Sequence, residues 1–74
     1  MNVDFDVGDV IHVFTVDKND WTGIVKGITN NTIKISKVMP GAVGQSVIDL
    51  NIVIYIFIDK IVAYRIIKRA EYDY

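Results

Sequence analysis

A chain of 74 residues with one leucine, Leu50, and alanine only at 42, 63 and 70 has little from which to build a helix. Its apolar residues are valine and isoleucine almost throughout. Branching at Cβ costs rotamer freedom against a preceding helical turn but suits a pleated surface, so the sequence points to an all-β fold. The length fixes a single domain, 1–74, because a second core would have no room.

Alternation and turn residues divide the chain into five expected strands: 10–16, 21–28, 32–38, 47–57 and 61–67. Asp17-Lys18-Asn19-Asp20 turns the chain after the first, and Asn30-Asn31 after the second. Gly23 and Gly27 predict a bend or bulge in the second strand. A loop over 39–45 contains Pro40, Gly41 and Gly44. Ile58-Asp59-Lys60 is a tight turn, and 68–74 reads as a polar tail.

The stretch 52–67, IVIYIFIDKIVAYRII, then poses a problem of coverage. Ile48, Leu50, Ile52, Ile54 and Ile56 form one apolar face, expected in the core, while Val53, Tyr55 and Phe57 point outward. The chain is 51% hydrophobic, yet a domain of this size hides only about 60% of the surface its unfolded chain exposes. With no cysteine, a disulfide staple is ruled out. Five short antiparallel strands fit a small, strongly bent sheet rolled into an open barrel. Its edges would be completed by other copies of the chain, and head-to-tail pairing that closes makes a ring. Val53, Tyr55, Phe57, Val62, Tyr64 and Ile66 are the candidate interface residues.

Several function classes lack support. A net charge of −1 gives no global pull toward nucleic acid or anionic membrane. The start, MNVDFDVGD, lacks the apolar run of a signal peptide, and no stretch reaches the length of a membrane helix, so a cytoplasmic location is expected. His12 is the only histidine and stands without cysteines, which makes a poor metal site; a structural role is expected. Asp4, Asp6 and Asp9 lack the spacing of a calcium loop and read as a solvated arm. No nucleophile and base, phosphate loop or metal cluster is evident, so neither enzymatic activity nor a cofactor is expected.

The layout resembles the Sm-like (LSm/Hfq) family. Its first motif is similar to GDVIHVFTVDKNDWTGIVKGITNNTIKI, with Gly8, Val10, Val13, Trp21, Gly23, Val25, Gly27, Ile33 and Ile35 at matching positions. Its second is similar to VIYIFIDKIVAYRI, where Ile61 opens the last strand. The resemblance covers about residues 8 to 67 and implies rings of about five to seven copies, closed by pairing the fourth strand of one subunit with the fifth of the next. It also implies single-stranded RNA as the partner, in RNA processing or regulation. This chain departs from the family in three places. The second turn lacks the family's Asp, the last turn reads Phe57-Ile58-Asp59-Lys60 where an Arg-Gly or Lys-His is usual, and no helix is expected at the N-terminus.

By that resemblance, Thr29, Asn30 and Asn31 meet Asp59 and Lys60 near the pore. Asn amides offer donor and acceptor to a base edge, and Lys60 a cation for a phosphate. Tyr55 and Phe57 have the chemistry to stack on bases, although a packed interface suits them equally. Trp21 is expected to cap or fill the barrel. Lys68 and Arg69 with Tyr72 and Tyr74 have the chemistry to touch nucleic acid, but Glu71 and Asp73 dilute the charge, and a frayed tail is expected. The second expectation is a structural or protein-interaction ring module, such as a phage or accessory component, that has lost the RNA site.

Overall fold

The computed structural model describes residues 3–40 and 47–70. Five strands are present: β1 (Val10–Thr15), β2 (Asp20–Ile28), β3 (Thr32–Pro40), β4 (Val47–Phe57) and β5 (Ile61–Lys68). A 3-10 turn, Ile58–Lys60, joins the last two. All pairings are antiparallel, in a single sheet of order β4-β3-β2-β1-β5. The first four strands meander, and β5 returns to pair with β1. β4 and β5 are therefore the two free edges, and the sheet does not close on itself.

Irregularities in register decide which side chains reach the core. In β2, Val25 pairs with Ile35 but Gly27 pairs with Lys34, so one extra residue is bulged out. A one-residue bulge inverts the alternation beyond it. Val25 and Ile28, three apart, thereby face inward together opposite Ile35 and Ile33. The bend expected from Gly23 and Gly27 is thus a bulge beside Gly27. Gly23 has a different reason to be glycine: a Cβ there would lie 2.5 Å from the Ser36 carbonyl oxygen.

The core comprises Phe5, Ile11, Val13, Val25, Ile33, Ile35, Ile56, Ile58 and Ile61. Three expectations need correction. First, β4 has the expected bounds, yet only Ile56 of its even face is buried, and Ile54 half so. Ile48, Leu50 and Ile52 are exposed. Ser36 pairs with Val53 but Val38 with Asp49, so Leu50, Asn51 and Ile52 together occupy the space opposite Lys37. Asn51 takes the left-handed conformation, φ 57°, at this wide bulge. Beyond it, β4 has left the core.

Second, the acidic arm is not simply solvated. Phe5 is buried in the core and packs edge-on against Tyr64, with ring centroids 5.0 Å apart. The Asp4 N–H donates to the Tyr64 hydroxyl at 3.1 Å. Asp9 is buried and binds the end of β5, as described below. Third, Lys68 belongs to β5, paired with Val10, and the loop expected over 39–45 gives up Met39 and Pro40 to β3. The rest of that loop, and Glu71, Tyr72, Asp73 and Tyr74 of the expected tail, lie outside the described residues. No helix among the described residues is long and apolar enough to cross a membrane.

Candidate functional site

The two turns singled out in the sequence meet. Between β2 and β3 the turn closes on itself: the Thr29 N–H donates to the Thr32 carbonyl at 2.8 Å, and the Thr32 N–H to the Thr29 hydroxyl at 3.1 Å. The Asn31 carbonyl then accepts the Ile58 N–H at 2.8 Å. That bond ties the Asn turn to the 3-10 turn carrying Asp59 and Lys60. The Lys60 carbonyl in turn accepts the Val16 N–H at 2.8 Å, which anchors the far side to the end of β1. Thr29, Asn30, Asn31, Asp59 and Lys60 are all exposed.

Chemically, the site is polar and weakly charged. The Asn31 side-chain oxygen accepts the Thr29 and Thr32 hydroxyls at 3.3 and 3.0 Å, so it is already engaged within the turn. The Asn30 carboxamide has no hydrogen-bond partner among the described residues. Lys60 has no ion-pair partner there either.

Next to these turns an open hollow of about 350 Å³ follows the gap where the sheet fails to close. Thr15, Val16 and Asp17 form one wall, Ile54 to Phe57 of β4 the other, with Trp21 and Lys60 completing the lining. Trp21, expected to cap or fill the barrel, is half-buried here and packs against the core, and Lys37 Nζ lies 5.9 Å from its ring centroid. Asp17 is held below the ordinary carboxylate range, chiefly by the Thr15 hydroxyl and with further bonds from Asn19, against a smaller opposing effect of desolvation.

The candidate interface residues fall into two groups. Val53, Tyr55, Phe57 and Val62 are exposed. Tyr64 and Ile66 lean on the chain's own core. The division follows from another bulge: Thr15 pairs with Ile61 but Phe14 with Ala63, so Val62 is squeezed out and Ile61, Tyr64 and Ile66 turn inward.

Two polar clusters were not legible as such in the sequence. Asp49 accepts hydrogen bonds from the Ser36 hydroxyl and from the Asn51 N–H, the latter at 2.9 Å, and pairs with Lys26 Nζ at 3.0 Å. These contacts, the Ser36 hydroxyl first, lower its pKa to about 2. The cluster clamps the β4 bulge. Asp9 accepts the Asp6 N–H at 2.9 Å, the Ala70 N–H at 2.7 Å and Arg69 Nη1 at 3.2 Å. Burial pushes its pKa upward, but the donors of Asp6, Ala70 and Arg69 outweigh it, and the carboxyl lies below its ordinary value. His12 Nε2 lies 2.9 Å from Asp20 Oδ1, and its ring rests on Phe14 with centroids 4.4 Å apart. Among the described residues no three His, Cys, Asp or Glu side chains are grouped to hold a metal.

Comparison with known proteins gave no match: no family model, curated protein or solved structure is significantly similar to this chain.

Proposed function

We propose that the chain is a non-catalytic, Sm-like protomer that assembles into a homo-oligomeric ring and holds single-stranded RNA. The observation that carries this reading is the pair of unpaired apolar edges. β4 and β5 lie at opposite ends of the sheet order, and Ile48, Leu50, Ile52 and Val53 on one and Val62 and Ile67 on the other are exposed. Such edges expose backbone donors and acceptors beside apolar side chains, a template for another strand. Pairing the β4 edge of one copy with the β5 edge of the next is heterologous, and a heterologous contact that closes forms a ring. The RNA part of the reading draws on the junction of the Thr29–Asn31 and Asp59–Lys60 turns, which repeats once per copy and so gains avidity.

Engagement of Asn31 within its own turn, the carboxylate of Asp59 beside Lys60 and the net charge of −1 favour a second reading, a structural ring without RNA. Anisotropy of labelled U-rich and A-rich oligonucleotides, at low and moderate salt, separates the two. Assembly is tested by Val62→Lys, which puts a charge on the exposed β5 edge without touching the core. The variant should stay folded by circular dichroism and fall to single-chain mass in light scattering. A wild-type protein that is already a single chain at high concentration would remove both readings.

A further inference from the structure

Edge pairing leaves one feature of β4 unused. Ile54 and Ile56 face the core opposite Ile35 and Ile33, so Val53, Tyr55 and Phe57 lie on the outer face opposite Ser36, Lys34 and Thr32. Tyr55 and Phe57 are 65% and 60% exposed, among the most exposed large apolar residues described. Residues two apart on a strand project in the same direction about 6.6 Å apart. Lys34 Nζ lies 5.9 Å from the Tyr55 ring centroid, and no acid pairs with it among the described residues. At its C-terminal end the strip runs into the Asn turn: Phe57 is opposite Thr32, whose hydroxyl donates to Asn31. Strand addition at an edge engages backbone groups along that edge, leaving the side chains on the face available.

We infer that Tyr55 and Phe57, with Lys34, form a base-stacking platform for single-stranded RNA and are not a subunit contact. The inference rests on the RNA reading above and gives it a second, larger contact surface. Phe57 and the Tyr55 face turned away from Lys34 each take one base, and stacking is tolerant of sequence because every base has a π face. The Lys34 ammonium, beside the Tyr55 ring, meets the phosphate between them. The Asn30 carboxamide at the end of the strip supplies a donor and an acceptor to the next base edge. A cation over the Tyr55 ring, with no acid paired to it among the described residues, is complementary to a polyanion carrying flat bases, whereas an apolar peptide would have to strip its water without return.

The test uses the full chain, with anisotropy of labelled oligouridine and oligoadenine over a salt series and light scattering in parallel. Tyr55→Ala should weaken both oligonucleotides at least about fivefold. Tyr55→Phe, which keeps the ring, should stay within about twofold of wild type. Lys34→Gln should reduce the slope of log affinity against log salt by about 1. Oligomer mass should not change in any of them. If Tyr55→Ala binds like wild type while Lys60→Gln or Asn31→Ala loses binding, the platform is overturned and RNA binding at the turns stands. If Tyr55→Ala lowers the oligomer mass, the strip is a subunit contact and the platform is again overturned. If Tyr55→Phe weakens binding as much as Tyr55→Ala, the hydroxyl and not the ring makes the contact. Wild-type protein that binds neither oligonucleotide at any salt overturns the platform and the RNA reading together.

Discussion

At the scale of single residues, two carboxylates do more than their surroundings in the sequence suggest. Asp49 is one acid within the strand 47–57, and Asp9 reads in the sequence as part of a solvated arm. Each instead collects donors from segments distant in the chain: Ser36 and Lys26 for Asp49, Arg69 and Ala70 for Asp9. No local pattern reveals such partners, because they are set by strand register and by where the segments before β1 and after β5 meet. Both folded-state pKa values lie below the ordinary 3.8, with Asp49 at about 2. The folded chain therefore holds these protons more weakly than the unfolded chain does. Their stabilisation is complete above the unfolded value and is lost as the pH falls below 3.8, for Asp49 toward about 2. The melting temperature should thus drop between pH 5 and pH 2, and Asp49→Asn should flatten that drop while lowering stability at neutral pH. A pH profile identical in the variant and wild type would show that Asp49 does not contribute.

At the scale of elements, strand identity was legible and strand faces were only partly so. Val and Ile content and the turn residues located every strand, and β4 matched its expected bounds of 47 and 57. Facing depends on parity, and parity changes at bulges. The bulge in β2 had a sequence marker in its glycine pair. That in β4 rests on Asn51 at φ 57°, in a run otherwise read as unbroken alternation, so Ile48, Leu50 and Ile52 were assigned to the core. The two in β5, at Val62 and Ile67, have no marker, since both are as good strand residues as their neighbours. Gly23 shows the reverse case, a visible glycine whose reason lay in packing. β2 and β3 approach so closely there that an added methyl would meet the Ser36 carbonyl at 2.5 Å. Backbone atoms cannot swing aside as a side-chain tip can, so Gly23→Ala should cost about 2 kcal/mol, in the range of overpacked cores. Urea denaturation would measure it, and an unchanged midpoint would contradict the close approach. The candidate RNA turns were placed by resemblance, and the Ile58 to Asn31 hydrogen bond that joins them is a tertiary contact beyond any local pattern.

At the scale of the whole molecule, the core is small and one-sided. Among the described residues, nine buried apolar residues form it, and one of them, Phe5, comes from the segment before the first strand. Outside it, Ile48, Leu50, Ile52, Val53, Val62 and Ile67 stay in water at the two ends of an open sheet. A protomer that leaves this much apolar surface exposed gains little from folding alone, so part of its stability should come from pairing between copies. Anything that binds the folded form but not the unfolded one makes the unfolding midpoint depend on concentration. A tenfold rise in concentration is worth up to about 1.4 kcal/mol per association step, and each kcal/mol moves the midpoint of a domain this size by about 4–8 °C. If copies pair as proposed, thermal unfolding should shift upward on the order of 5 °C per tenfold increase in protein over the range where they associate. Val62→Lys should abolish that dependence and unfold at the low-concentration midpoint, because it removes the proposed edge contact at an exposed residue and leaves the buried core residues as they were. A wild-type midpoint independent of concentration, at concentrations where light scattering still finds assemblies, would mean that the edges associate without contributing to the fold.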